Sequence, residues 1–138
     1  MMMMPYLDAN VFVFATLYSG KKAGKALEML ESISIGNVSA ITSSLTIDEV
    51  AWAIIQRTHK RTSAINACKT IMMIPNLKIL DVRSQDVLKA LWFMEKYPHL
   101  EPRDAIHVAV CFHAKSRIII SNDSDFDNID EITWEKLE

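Results

Sequence analysis

One short stretch near the end of the chain, Arg117–Ile120 (RIII), decides the fold. A continuous run of β-branched residues is typical of a strand that is buried on both faces of a parallel sheet. Working outward, further strand candidates are Pro5–Asp8, Ser39–Thr42, Leu77–Leu80 and, at an edge, Glu131–Trp134. Helical periodicity is found between them, over Val11–Leu17, Lys21–Ser32, Leu45–Thr58, Thr62–Ile74, Gln85–Tyr97 and Pro102–Ala114. This alternation predicts an α/β fold with a central, mainly parallel sheet of about four to five short strands flanked by α-helices.

Length and composition agree with one globular unit. The chain has 138 residues, of which 50% are hydrophobic and 23% are charged, so residues 1–138 are expected to form a single domain. Cys68 and Cys111 are too few for a disulfide framework or a cysteine zinc site. The first residues have no basic segment followed by a small-residue cleavage site, so no secretory signal is predicted. We therefore expect a cytoplasmic protein without a membrane segment.

Carboxylates follow several of the predicted strands. Asp8 ends the first strand, Glu49 lies early in the helix after the second, and Asp104 lies in the first turn of its helix. Asp123 and Asp125 directly follow the isoleucine-rich strand. Because the carboxyl ends of parallel strands meet at one edge of a sheet, these acids should converge there, and they would repel one another unless a cation neutralised them. Mg²⁺ and Mn²⁺ take oxygen ligands of this kind and support phosphoryl chemistry.

Each acid also has a structural alternative. Asp8 could cap the helix that follows it, and Asp104 could complement a helix dipole. Glu49 stands three residues after Thr46, which is the spacing of a capping box. The two aspartates of the C-terminal loop could be turn residues. Their joint placement favours a functional site, whereas solvated helix faces are the expected locations of Glu28, Glu31, Asp86 and Glu95.

Competing motifs are incomplete. Residues 123–127 begin like a calcium loop, but Asn128 stands at the position of the turn glycine and Trp134 at that of the bidentate Glu. His107 and His113 are six residues apart, which is not the spacing of a zinc protease. The sequence has no glycine-rich phosphate loop, so a nucleotide-dependent enzyme is not predicted.

Four segments occur in order over nearly the whole chain: Tyr6–Val11 (YLDANV), Ser43–Val50 (SSLTIDEV), Arg103–Ala109 (RDAIHVA) and Ile119–Asp127 (IISNDSDFD). The first has an Asp followed two residues later by Asn, and the second has one Glu early in a helix. The fourth is similar to the pattern Thr-x-Asp-x-Asp-Phe, with Ser121 in place of the more usual Thr. In this order the segments resemble the motifs of the PIN-domain ribonucleases, and most closely those of the VapC-like toxins.

The resemblance implies an acidic quartet that binds Mg²⁺ or Mn²⁺ and carries catalysis, formed by Asp8, Glu49, Asp104 and Asp123. It adds Asp125 as an auxiliary metal ligand, and Asn10 as a polar group that supports the quartet. The hydroxyl of Ser121 could hydrogen-bond a carboxylate or a phosphate.

Two assignments within these motifs need a choice. Asp48 is adjacent to Glu49, and neighbours on a helix point about 100° apart, so only one of them can face a metal. The family motif aligns at Glu49. His107 follows Asp104 by three residues and shares its helix face, so it could approach the site or contact substrate. A packed and hydrogen-bonded side chain beside the sheet is the favoured role for His107.

The activity implied by the resemblance is metal-dependent hydrolysis of RNA phosphodiesters, by the toxin of a VapBC-type toxin–antitoxin pair. The implied partners are the RNA substrate, a small antitoxin protein that covers the acidic groove, and a second copy of the chain bound through Lys21–Ser32 and Leu45–Thr58. Two alternatives stay open. One is a housekeeping PIN nuclease that matures ribosomal or transfer RNA. The other is a non-catalytic PIN-like module that binds RNA or protein.

The charge balance is uninformative until the acids are sorted. There are 17 acidic and 15 basic side chains, and this formal net charge of -2 argues at first against nucleic acid. Setting aside the five proposed site acids leaves 12 acids against 15 cations, a balance of +3. Two basic clusters could contact phosphate, and they comprise Lys21, Lys22 and Lys25, and Arg57, Lys60 and Arg61. Core or dimer positions, and not base-stacking sites, are predicted for Phe12, Phe14, Trp52, Trp92 and Phe93.

Overall fold

The computed structural model describes residues 4–137, and its central element is a parallel sheet of five strands in the order β3-β2-β1-β4-β5. The strands are β1 (Tyr6–Leu7), β2 (Ala40–Ser43), β3 (Leu77–Leu80), β4 (Ile118–Ser121) and β5 (Thr133–Lys136). The helices are α1 (Ala9–Leu17), α2 (Lys21–Ser34), α3 (Ser44–Thr58), α4 (Arg61–Met72), α5 (Ser84–Lys96) and α6 (Pro102–His113). A 3-10 turn covers Ser124–Phe126. The predicted α/β class is confirmed, and the predicted ends differ from these by two residues at most.

Successive residues of the strands supply two hydrophobic cores, because side chains along a strand point alternately to opposite faces. Leu7 and Ile120 belong to a core that packs against α1 to α4. Tyr6 and Ile119 belong to a second core that packs against α5 and α6. Both faces of β1 and β4 are therefore covered, which explains why the strand Ile118–Ser121 is apolar without alternation.

The strand order defines where the connections diverge. From β1 at the centre, the chain moves outward through β2 to β3, and it later returns to β4 on the other side. A crevice forms where such connections leave in opposite directions, at the carboxyl ends of the strands. Asp8 directly follows β1, and Asn122 directly follows β4. The sheet thus brings the acidic segments to one place. None of the helices within residues 4–137 combines the length and the apolar character needed to cross a bilayer.

The last strand begins two residues later than predicted, at Thr133. Ile118 pairs with Thr133, so the ladder with β4 starts there. Glu131, at the predicted start, instead binds α5 and its C-cap through its side chain. It accepts hydrogen bonds from Lys96 Nζ at 2.7 Å and from the Tyr97 hydroxyl at 2.6 Å.

The sequence predicts Asp86 on a solvated helix face, and this prediction is wrong: its side chain is 1% exposed. Its Oδ2 atom accepts a hydrogen bond from the backbone N–H of Arg83 at 2.8 Å, which caps α5, and its Oδ1 atom lies 2.6 Å from His113 Nδ1. Burial raises the pKa of Asp86, but hydrogen bonds from Arg83 and His113 outweigh it and hold the pKa below its usual value. Helical periodicity shows the face that Asp86 occupies but does not show that α6 supplies a partner there.

The aromatic residues divide between core and surface. Phe12 and Phe93 are fully buried, so their predicted core positions are confirmed. Phe14 is half-buried and packs at the edge of the first core. Trp52 is 62% exposed and Trp92 43%, so neither belongs to the core. Both lie on exposed helix faces. Their hydrophobic residue type alone therefore overstated how far these two side chains are buried.

Candidate metal and active site

Asp8 is held at the junction of β1 and α1 by three donors. Its Oδ1 accepts a hydrogen bond from the backbone N–H of Ala9 at 2.8 Å, so Asp8 is the N-cap of α1. Its Oδ2 accepts one from the amide of Asn10 at 3.0 Å and one from the hydroxyl of Ser121 at 2.8 Å. The capping role proposed as an alternative is therefore real, and it leaves Asp8 fixed at the edge of the crevice. Burial is the largest cause that raises the pKa of Asp8 above its usual value.

Ser121 connects the acids that follow the two central strands. Its hydroxyl donates to Asp8 and accepts hydrogen bonds from the backbone N–H of Asp123 at 2.9 Å and the amide of Asn10 at 3.1 Å. Asn10 also accepts a hydrogen bond from the backbone N–H of Asn122 at 2.9 Å. One serine and one asparagine therefore hold the ends of β1 and β4 together beneath the carboxylates.

Glu49 points toward Asp8 and not into a capping box. The hydroxyl of Thr46 is buried and has no hydrogen-bond partner within residues 4–137, which removes the capping alternative for Glu49. Instead, Glu49 Oε1 accepts a hydrogen bond from His107 Nε2, which also lies 3.6 Å from Asp8 Oδ1. Asp48 is exposed and Glu49 is half-buried, and both line the same groove, so the choice of Glu49 as the metal ligand stays a prediction.

His107 is completely buried and is linked to the sheet through Tyr6. Its Nδ1 lies 2.6 Å from the Tyr6 hydroxyl, which is 2.7 Å from the hydroxyl of Ser43. Burial lowers the pKa of His107, but Tyr6, Glu49 and Asp8 outweigh it and hold this pKa well above its usual value. These neighbours favour the protonated form of the imidazole, which lies in hydrogen-bond or ion-pair distance of Glu49 and Asp8. The packed position favoured from the sequence and the approach to the acids are both found.

Three other acids form a second cluster. Asp104, Asp123 and Asp125 each offer a carboxylate oxygen, and these atoms all lie within 4.8 Å of one another. Asp104 is in the first turn of α6, and Asp123 caps the 3-10 turn by accepting a hydrogen bond from the backbone N–H of Asp125 at 2.9 Å. The same spacing applies to Asp8, Glu49 and His107. The expected quartet thus lies in two trios.

The two trios differ in their balance of charge. His107 provides a cation to the first, whereas no ion pair within the described part of the chain involves Asp104, Asp123 or Asp125. Burial, followed by the charges of Asp123 and Asp8, raises the pKa of Asp104 to about 7. This repulsion is relieved by a divalent cation with oxygen ligands, so the donor set fits Mg²⁺ or Mn²⁺.

Asp8, Glu49, Asp104 and Asp123 line an open groove of about 680 Å³ between α1 and α3. From α1 the groove is also lined by Val13, Phe14 and its C-cap Tyr18, and from α3 by Asp48, Trp52, Ala53 and Arg57. Arg103 lines it next to Asp104. Of the two predicted basic clusters, only Arg57 reaches this groove.

Sequence reasoning missed several of these side chains. The sequence presents Tyr6 only as part of a strand, although its hydroxyl contacts His107 on α6. Trp52 is predicted in the core or a dimer contact, yet it follows Glu49 by three residues, and that spacing places the two on one helix face. The spacing alone was a usable signal for Trp52. The contact of Tyr6 was not recoverable, since it joins residues 101 positions apart.

Comparisons with known proteins agree with the fold. The family model described as PIN domain matches residues 6–132. No curated protein sequence is significantly similar to the chain. Among solved structures, VapBC2 from Rickettsia felis, bound to a DNA fragment from its promoter, has a chain with a TM-score of 0.75 and 15% identity, covering 97% of this chain and 98% of that one.

Two further structures share the fold. A toxin–antitoxin complex from Klebsiella pneumoniae has a TM-score of 0.65 and 20% identity, with coverage of 94% of this chain and 95% of that one. VapC20 from Mycobacterium tuberculosis, a toxin that cleaves the sarcin–ricin loop, has a TM-score of 0.72 and 16% identity, with coverage of 92% and 97%. At these identities the likeness establishes the fold.

Proposed function

Because the chain belongs to the PIN domain family, we propose that it is a metal-dependent endoribonuclease and the toxin of a VapBC-type pair. The observation that carries this proposal is the uncompensated trio Asp104, Asp123 and Asp125, which lies beside the Asp8–Glu49 pair at the carboxyl ends of the central strands. Carboxylates that repel one another in a crevice mark a candidate site for binding a cation and a phosphate.

The residues that would hold the metal are Asp8, Glu49, Asp104 and Asp123, with Asp125 as an additional oxygen ligand. A divalent ion bound there would make water a stronger nucleophile and stabilise the charge that develops on the phosphate. Ser121 and Asn10 keep Asp8 aligned, because both donate to its Oδ2. His107 orients Glu49 through the hydrogen bond from its Nε2.

The RNA substrate enters this proposal through the groove. Arg57 and Arg103 line it and offer cations to backbone phosphates. The implied antitoxin partner is proposed on the likeness in fold to toxin–antitoxin complexes. A homodimer through α2 and α3 and a cytoplasmic location also remain predictions.

Cleavage of single-stranded RNA by the purified chain tests the activity. We expect cutting with Mg²⁺ or Mn²⁺, none with EDTA, and none by Asp104→Asn, while the circular dichroism of the variant stays that of the parent. Asp127→Asn is the matched control, because Asp127 is an exposed acid of the neighbouring loop outside both trios. Cleavage that persists in EDTA, or an Asp104→Asn variant as fast as the parent, would refute the assignment.

Expression in growing cells tests the toxin role. We expect growth arrest that requires Asp104 and is relieved by co-expression of a small protein encoded by the adjacent gene. A housekeeping nuclease would instead be tolerated and would leave precursor RNA when deleted. A binding module would retain RNA or protein affinity without any divalent-dependent cleavage.

A further inference from the structure

Two large aromatic side chains stand in the groove with much of their surface uncovered. Trp52 is 62% exposed and Tyr18 is 42% exposed, and both line the groove that contains the carboxylates. Trp52 follows Glu49 by three residues on α3, so its indole stands about one helical turn from that carboxylate. Exposed aromatic surface beside a group of carboxylates offers area that a ligand bound in the groove could cover.

The two rings differ in their neighbours, since Tyr18 is contacted by Phe14 and Arg57. The other apolar residues that α1 and α3 place along the groove include the small side chains Val13 and Ala53. Phe14 packs against Tyr18 with ring centroids 5.0 Å apart, which supports the tyrosine from below. The groove is therefore a shallow channel with projecting rings, and not a deep apolar slot.

Two cations line the groove together with these aromatic rings. The guanidinium of Arg57 lies 5.1 Å from the ring centroid of Tyr18, and Arg103 lines the groove at the acidic end. Aromatic surfaces interspersed with cations are the chemistry that binds single-stranded nucleic acid, since bases stack on rings and phosphates pair with Arg. An apolar peptide helix would cover the rings but would leave two cations and a group of carboxylates at its border.

We propose that Trp52 and Tyr18 form a base-stacking subsite for unpaired nucleotides of single-stranded RNA, and that Trp52 holds the base beside the phosphodiester to be cut. This inference rests on the proposed function and adds to it the residues that bind the bases beside the cut. A base paired in a duplex has its faces covered by its neighbours, so the subsite selects RNA whose bases are unstacked. Arg57 then contacts a phosphate farther along the strand.

Binding to a mixed-sequence, fluorescently labelled single-stranded RNA of about twelve nucleotides gives the first test, because each base that stacks on an aromatic ring adds to the affinity. All variants carry Asp104→Asn so that the RNA stays intact. We expect Trp52→Ala to weaken binding about tenfold and Trp52→Phe to retain most of the affinity. Trp92→Ala is the matched control, because Trp92 is also exposed but is not part of the groove. Equal losses in Trp52→Ala and Trp92→Ala would overturn the subsite.

Cleavage kinetics with Asp104 intact test where the base sits. The substrate is the same RNA with or without an abasic nucleotide on either side of the cut. We expect the abasic site to lower kcat/KM for the parent about tenfold and to have little further effect in Trp52→Ala, because both changes remove one stacking contact. If the losses in kcat/KM from Trp52→Ala and from the abasic nucleotide are fully additive on both sides of the cut, the stacking role is contradicted.

Intrinsic fluorescence gives a readout that a purely structural role would not change. Trp92→Phe with Trp134→Phe leaves Trp52 as the only tryptophan of the three in the chain. We expect RNA to quench its emission in proportion to binding, and duplex RNA of the same sequence to quench it far less. If the parent cuts RNA and Trp52→Ala binds and cuts it equally well, the subsite is refuted. The nuclease proposal then stands, and a protein partner becomes the expected occupant of the groove. If the parent cuts no RNA, the nuclease proposal fails, whatever the fluorescence shows.

Discussion

The hydroxyl of Tyr6 lies 2.6 Å from Nδ1 of His107, so a residue of the central strand fixes a buried imidazole on α6. The opposite ring nitrogen, Nε2, binds Glu49 on α3. Through these two contacts, the sheet determines how a carboxylate on a separate helix is oriented. Groups that orient metal ligands in this way contribute to metal affinity and to activity although they do not touch the metal.

Tyr6→Phe tests this link. We expect Mn²⁺ affinity and kcat/KM for RNA to fall about 10- to 100-fold, because His107, which binds Glu49, is no longer held in place by Tyr6. The free energy of unfolding should fall by about 1–3 kcal/mol, since the variant leaves buried polar atoms of His107 and Ser43 without their partner. Isothermal titration and urea unfolding measure the two quantities.

Ser43→Ala is the control for Tyr6→Phe. It removes the other hydrogen bond of the Tyr6 hydroxyl but keeps the contact with His107, so it should cost stability with little effect on metal affinity. Equal metal affinities of Tyr6→Phe and the parent would show that Glu49 is oriented by other contacts.

Ser121→Ala removes the hydroxyl that joins Asp8 to the loop after β4. We expect metal affinity to fall about tenfold, because Asp8 loses a donor that favours its ionised form and Asp123 loses a backbone restraint. Ser121→Thr keeps the hydroxyl and should retain most of the affinity. An alanine variant that binds Mn²⁺ as the parent does would contradict the structural role of this hydrogen bond.

Local sequence signals predicted much of the molecule for identifiable reasons. The strands that end at Leu7 and Ser121 were predictable because burial on both faces requires continuous apolar residues there. Asp8 and Asp123 were predictable because the loops at the carboxyl ends of parallel strands all lie at the same edge of the sheet. These features depend on neighbours along the chain and on the general geometry of a parallel sheet.

Features that depend on distant partners were not predictable in this way. Asp86 is buried because α6 brings His113 against it, 27 residues away along the chain. Trp52 is exposed because α3 turns that face to the groove and not to the sheet. The division of the acids into two trios depends on the side-chain position of His107, which periodicity alone leaves open.

Asp104→Asn should abolish RNA cleavage and should also raise the free energy of unfolding of the metal-free protein. Burial and neighbouring acids raise the pKa of Asp104 to about 7, so its ionised form is disfavoured in the folded state. The cost of this charge is absent below the unfolded pKa of about 4, grows as the pH rises toward 7, and is constant above it. Because Asp104 is partly exposed, we expect a gain of only about 1 kcal/mol at pH 8, and less at pH 5.

Urea unfolding in EDTA at the two pH values measures the gain from Asp104→Asn. Asp127→Asn, at an exposed acid, should give no gain at either pH. A destabilised Asp104→Asn variant at pH 8 would show that the repulsion among the acids is already relieved without metal.

Asp86→Asn should show the opposite dependence on pH. Arg83 and His113 lower the pKa of Asp86 despite its burial, so the ionised carboxylate stabilises the contact between α5 and α6. This contribution is present above the unfolded pKa of about 4 and is lost as the pH falls through the lower folded value. At pH 7 we expect the variant to be about 2 kcal/mol less stable than the parent, because hydrogen bonds to a charged, buried group are lost. The difference should shrink when both proteins are unfolded by urea at pH 3. Asp81→Asn is the control, because Asp81 is exposed and lines the same surface cavity as Asp86. It should match the parent at both pH values. A difference between Asp86→Asn and the parent that is equal at pH 7 and pH 3 would mean that shape, and not the charge of Asp86, stabilises this junction.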